Sequence, residues 1–234
     1  MNAQKEAKAL ESQYVADIST AVYGICDSEK KEHAGGLESF EHYRERLTLE
    51  AVNAGKAYFH SWTKAFTLIV KELVLVGDQD AIKQIIHGVD CIKKRQDQKL
   101  QGQTVAAIMD YDVELLGKMY AIGRNLFDQD HLDDAITVFG LVVSLDPGYA
   151  ICWASLGITL YSQGKFKESL EALKMASQID SENPIPHFYA AKAHKKLGAT
   201  KEAQLSLKLA LEQASGKSEY AAVVTAIRAE QSKI

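Results

Sequence analysis

Histidines, carboxylates and thiols are the side chains that most often carry chemistry, and here they are dispersed. His187 and His194 lie seven residues apart, a spacing that puts two imidazoles on one helix face and would suit half of a metal site. No Cys, Asp or Glu completes a ligand set around them, so both are expected to pack within helical pairs. Asp133 and Asp134 are adjacent, but they open an amphipathic segment, where they complement the helix dipole. Cys26, Cys91 and Cys152 show no CxxC spacing and an odd count, which fits core thiols in a reducing compartment better than a disulfide scaffold. P-loop, GxSxG, HExxH and dinucleotide fingerprints are all missing. The expectation is a protein with no catalytic residues, no metal and no cofactor.

Recognition is the remaining class of function. A net charge of −4 and a pI near 6.0 argue against nucleic acid as a partner, because phosphate neutralisation needs a basic face. The one compact basic cluster, Lys93-Lys94-Arg95, reads as a solvated helix end beside the negative pole of the dipole. The first residues, MNAQKEAKALESQ, carry charge where a signal peptide needs an apolar run. The longest apolar stretch, Ala65 to Val76, is interrupted by Lys71 and Glu72 and is too short to span a bilayer. No direct membrane insertion and a cytoplasmic location are expected.

The elements that must position a recognition surface are helical. Only three prolines occur, Pro147, Pro184 and Pro186, none of them in the first hundred residues. Apolar residues at three- and four-residue steps predict helices over about Ala3–Tyr23, Leu37–Asn53, Ala54–Val76 and Asp80–Lys94, with an exposed connection from Cys26 to Gly36. The third of these is apolar over much of its circumference and is expected to be buried between other helices; Gly77-Asp78 closes it. A polar stretch, Gln96–Gln103, marks the boundary between an N-terminal helical region, 1–103, and a second domain, 104–234. A helix over Thr104–Leu116 leads into that domain. The N-terminal helices form either a small bundle or a surface for a homodimer.

From Leu116 the chain repeats itself. Gly123, Gly157 and Ala191 are spaced by 34 residues, the period of the tetratricopeptide repeat, a helix-turn-helix unit, giving copies at 116–149, 150–183 and 184–217. Small residues at Gly123, Ala135, Gly157, Ser169, Ala191 and Ala203 allow the two helices of a pair to approach, and Phe139, Leu173 and Leu207 fill the space between neighbouring pairs. Gly164 and Gly198 sit where helix A must stop in a left-handed cap; Asp130 takes that place in the first copy, and aspartate tolerates the conformation better than most. Pro147 and Pro184 fall just before new A helices, where a missing amide proton costs little. A last helix, 218–231, caps the array. The expected fold is all-α: three tetratricopeptide repeats in a short right-handed solenoid with a C-terminal capping helix, preceded by an N-terminal helical bundle.

Such a stack curves and leaves a concave groove lined by one face of each A helix. Positions two, five, nine and twelve supply Gly117, Tyr120, Arg124 and Phe127 in the first copy. They supply Ile151, Ala154, Ile158 and Tyr161 in the second, and Ile185, Phe188, Lys192 and Lys195 in the third. The peptide-binding groove is therefore expected to use Tyr120, Arg124, Phe127, Ile151, Ala154, Ile158, Tyr161, Phe188, Lys192 and Lys195 on an extended segment with spaced apolar anchors. The alternative is that Tyr120, Phe127 and Tyr161 pack against the N-terminal helices or the C-terminal helix.

The stretches Tyr120–Phe127, Leu132–Ala135, Val143–Asp146 and Asn183–Ala191, together with the closing helix Ala203–Gln213, resemble the LcrH/SycD-type class II chaperones of bacterial type III secretion. The resemblance covers about residues 112 to 217. It implies a bacterial cytoplasmic chaperone whose concave groove holds a short segment of a hydrophobic secreted translocator protein, with Tyr120, Phe127 and Tyr161 at the matching anchor positions. The chain departs from that pattern at Asp130, at Thr200, and in the length of its N-terminal region. Other roles compatible with the residues are a scaffold that reads a C-terminal carboxylate through Lys192 and Lys195, and a structural or sorting component of the secretion apparatus.

Overall fold

The computed structural model describes residues 60–94 and 103–231, without the side chains of 89, 90 and 92–94. The helices expected over 3–23 and 37–53, the connection 26–36, Cys26, Arg95 and most of the polar stretch 96–103 lie outside the described residues. The chain divides into two compact units, Met1–Lys64 and Ala65–Ile234. Every regular element among the described residues is helical.

Helix α1 covers 60–76 and α2 covers Gln79–Lys94. Ala65, Ile69 and Leu73, four residues apart, are buried on one stripe of α1. Val74, Leu75 and Val76 are 55%, 71% and 75% exposed, so the helix is not covered on all sides as its composition predicts. Gly77, at φ +76°, ends it, and the Asp78 side chain accepts from the Ala81 amide at 3.0 Å to start α2.

The helix predicted over Thr104–Leu116 is two helices, α3 (Val105–Ile108) and α4 (Val113–Asp128). Thr104 caps α3 as its residue type suggests, accepting from the Ala107 amide at 3.2 Å. The break comes from two aspartates. Asp110 takes a left-handed conformation at φ 57°, and Asp112 accepts from the Leu115 amide at 2.7 Å to begin α4 three residues ahead of the expected start. Between them, buried Tyr111 lies over Gly88, where a Cβ would collide with its ring, and donates to the Ile85 carbonyl at 3.0 Å. Asp78 and Lys118, 2.8 Å apart, further tie the start of α2 to α4.

Three helical pairs follow: α4 with α5 (Leu132–Leu145), α6 (Ala150–Ser162) with α7 (Phe166–Ile179), and α8 (Pro184–Lys196) with α9 (Thr200–Ala214). The same turn joins the members of each pair. Asp130, Gly164 and Gly198 have φ of 62°, 83° and 75°. The next amide, of His131, Lys165 or Ala199, donates 2.9 Å back to the carbonyl of Leu126, Leu160 or His194, a six-residue closure that satisfies an orphan carbonyl at the helix end. Pro184 is the first residue of α8, where its missing N–H costs little, and Asn183 caps it through the Ile185 amide at 3.0 Å.

Phe139 and Leu173, expected between neighbouring pairs, pack against the small residues of their own pairs. A Cβ on Gly123 would come within 2.7 Å of the Phe139 ring, and one on Gly157 within 2.6 Å of Leu173 Cγ. Ala135, Ser169, Ala191 and Ala203 are fully buried, as are Phe139, Leu173 and Leu207 to within 1%. At the end of the array a 3₁₀ turn, Ser218–Tyr220, leads into α10, Ala221–Gln231. Ile227 of α10 is buried with Ala191, Leu207 and Ala210, and Phe188, Leu211 and Val223 pack around that cluster.

Candidate peptide-binding groove

The A helices α4, α6 and α8 stand side by side, and residues of all three line an open pocket of about 180 Å³. Its walls are Arg124 and Phe127 from α4, Phe139 from α5, Ser155, Ile158 and Thr159 from α6, and Tyr189 from α8. Three of the predicted groove residues, Arg124, Phe127 and Ile158, therefore meet around one hollow. Ser155, Thr159 and Tyr189 were not predicted. They fall in columns six and ten of the repeat, and column six reads Ala121, Ser155, Tyr189, with no shared residue type to mark it.

Tyr120 bridges the first two pairs. Its ring packs 5.8 Å from Phe139 and 5.9 Å from Tyr149, and its hydroxyl lies 3.2 Å from Ser155 Oγ. Ser155 is buried, and Thr159 Oγ1 donates to the Ser155 carbonyl at 2.7 Å, so the hydroxyls on this wall have partners within the chain. The Cys152 thiol lies behind the wall, 3.6 Å from the Phe139 carbonyl, and burial pushes its pKa up, which keeps it a neutral core group.

Beside the pocket, and sharing Tyr189 with it, lies an aromatic cluster around a lysine. Tyr161 packs 5.5 Å from Phe166 and 5.9 Å from Tyr189, and Phe188 lies 5.6 Å from Tyr189. Lys192 Nζ is 4.7 Å from the centroid of Tyr189, 5.0 Å from that of Tyr161 and 5.6 Å from that of Phe188, within the range of cation–π attraction. Lys195 points elsewhere and pairs with Glu230 of α10 at 2.8 Å. Burial raises the pKa of Tyr161, and the charge of Glu230 on the capping helix adds to the shift. Ile151 is half exposed at the start of α6, whereas Ala154 is buried in the helix packing.

Among the described residues no group of three or more His, Cys, Asp or Glu side chains could hold a metal ion. His187 is half-buried and burial lowers its pKa, which favours the neutral ring within the pair. Among the same residues, no helix is long and apolar enough to cross a membrane.

A family model described as a TPR repeat matches residues 157–198, which run from the middle of α6 through α7 to the end of α8. No curated protein matches the chain in sequence. Among solved structures, the Yersinia enterocolitica type III secretion translocator chaperone SycD aligns at a TM-score of 0.55 with 23% identity, covering 57% of this chain and 99% of that one. The CopN-Scc3 complex contains a chain that aligns at 0.52 with 26% identity over 56% of this chain and 77% of its own length. PcrH, from Pseudomonas aeruginosa, in complex with the chaperone binding region of PopD, aligns at 0.50 with 24% identity over 56% and 93%. The array is thus a tetratricopeptide-type fold similar to that of the type III secretion translocator chaperones.

Proposed function

We propose that the chain is a cytoplasmic chaperone of bacterial type III secretion, holding an extended apolar segment of a hydrophobic translocator protein in the concave face of its repeats and keeping it soluble before secretion. The carrying observation is the pocket between α4, α6 and α8, whose walls include Phe127, Phe139, Ile158 and Tyr189 and which is open to a side chain presented from outside. Apolar area removed from water there contributes about 25 cal/mol per Å². Support also comes from the shared fold of PcrH, whose structure holds the chaperone binding region of PopD. In this reading the binding domain is 104–234, Tyr120, Phe127 and Tyr161 supply anchor contacts, and the N-terminal region 1–103 is available for self-association.

A scaffold that clamps one C-terminal carboxylate is disfavoured by the lysines. Such a clamp needs several cations converging on one group, whereas Lys195 is committed to Glu230 and Lys192 lies among three rings. Coexpression with a translocator encoded beside the gene, followed by copurification and titration, tests the assignment. Phe127→Ala, Tyr120→Ala and Tyr161→Ala should each weaken binding about tenfold or more, as loss of a buried anchor does, while the helical circular dichroism signal is retained. Full client affinity in all three folded variants would remove the groove from consideration.

A further inference from the structure

The groove carries charge from two of its helices. Arg124 forms part of the pocket wall on α4, the first A helix. Among the described residues its ion pair is to Asp128 a turn away, 3.8 Å long with both side chains at least half exposed, a contact that water and an incoming group can replace readily. On α8, the third A helix, Tyr189 lines the same pocket, and Lys192 Nζ stands 4.7 Å over its ring. The rings of Tyr161, Phe188 and Tyr189 hold that ammonium in place but accept none of its three N–H groups as a carboxylate would. Lys192 has no ion-pair partner among the described residues. The two cations stand on different helices of the array, α4 and α8, so one extended ligand can offer each of them a separate group.

The chain itself shows which group suits this region. Lys195, one turn beyond Lys192 in α8, takes the carboxylate of Glu230 at 2.8 Å, in a contact where the glutamate side chain is 17% exposed. We propose that Arg124 and Lys192 make the groove selective for an extended segment in which an apolar anchor is flanked on both sides by carboxylate side chains. The anchor fills the hollow between Phe127, Ile158 and Tyr189, one acid meets the guanidinium of Arg124, and the other meets the face of Lys192 that the rings leave open. Local charge must act here against the net −4 of the chain, so the preference is a short-range one.

This inference rests on the groove being the binding surface, and the test separates the two. The probe is a displayed library of random peptides of about 12 residues, long enough to span the groove in extended form at roughly 3.3 Å per residue. It is selected on the full chain. Selected peptides should place Asp or Glu on both sides of an apolar residue, and replacing those acids by Gln should weaken binding roughly three- to tenfold at low salt, as two exposed charge contacts would. That acid-to-Gln difference should collapse in the Arg124→Gln/Lys192→Gln double variant and persist in Lys192→Arg. Selection of apolar peptides without acids, or equal binding of the Gln peptide, overturns the charge selectivity and leaves the groove standing. Selection that Phe127→Ala does not alter overturns the groove assignment, and the selectivity with it.

Discussion

Ser169 donates a 2.7 Å hydrogen bond to the carbonyl of Gly157, and both residues are buried where α6 and α7 cross. The bond exists because Gly157 lacks a Cβ. Helix α7 comes so near that an added Cβ would meet Leu173 Cγ at 2.6 Å and the Leu173 backbone nitrogen at 3.2 Å. A flexible side chain can move aside, but backbone cannot without shifting the helix.

Gly157→Ala should therefore destabilise the protein by about 1–3 kcal/mol, the usual range for forcing a methyl into a packed interior. Ser169→Ala should lose about 1 kcal/mol through the broken hydrogen bond. Urea denaturation of both variants measures this. A neutral Gly157→Ala would show that the pair has slack its geometry does not suggest.

The three turns make an internal comparison. Asp130 adopts at φ 62° what Gly164 and Gly198 adopt at 83° and 75°. Asp130→Gly should raise stability by about 0.5–1 kcal/mol by relieving left-handed strain, and Gly164→Ala should lower it by a similar amount. Thermal melts of the two variants should move in opposite directions.

His187 gives a pH signature. Burial lowers its pKa below the ordinary 6.5, so the unfolded chain binds its proton more readily than the folded one. The contribution is complete above about pH 6.5 and is lost as pH falls through the folded-state value. Between neutral and mildly acidic pH, the stability of the parent protein should fall more steeply than that of His187→Gln. Parallel curves would place the ring in solvent.

The capping helix is held by Ile227 and by the Lys195–Glu230 pair. Because Lys195 is 36% exposed, the pair should contribute no more than about 1 kcal/mol. Glu230→Gln should speed amide hydrogen exchange over 221–231 and leave α4 to α7 unchanged. Equal protection in α10 would assign its docking to the apolar contacts alone.

Much of the array was legible because the physics repeats. A small residue is required wherever two helices cross and a left-handed residue wherever helix A stops, so columns 123/157/191 and 130/164/198 declare themselves. The break at Asp110–Asp112 was not legible, since an apolar rhythm continues across it and the caps act through two side chains only. The pocket was half legible. Arg124, Phe127 and Ile158 sit on the face that helical periodicity selects, but Ser155, Thr159 and Tyr189 depend on how far each A helix is rotated against the next. Phe139 fills the core as its column predicts and also reaches through to the pocket wall, a double role that spacing does not encode. The Glu230 contact joins residues 35 apart in sequence across two elements with no common pattern.

The identical turns have one more consequence. Since Leu126–His131, Leu160–Lys165 and His194–Ala199 close with the same backbone bond at the same length, the pairs share one set of joints. A chain built this way can change length by whole units. Duplicating residues 150–183 in phase should add a further pair and lengthen the array, whereas an insertion inside a helix that is not a multiple of 34 residues would throw the later columns out of register.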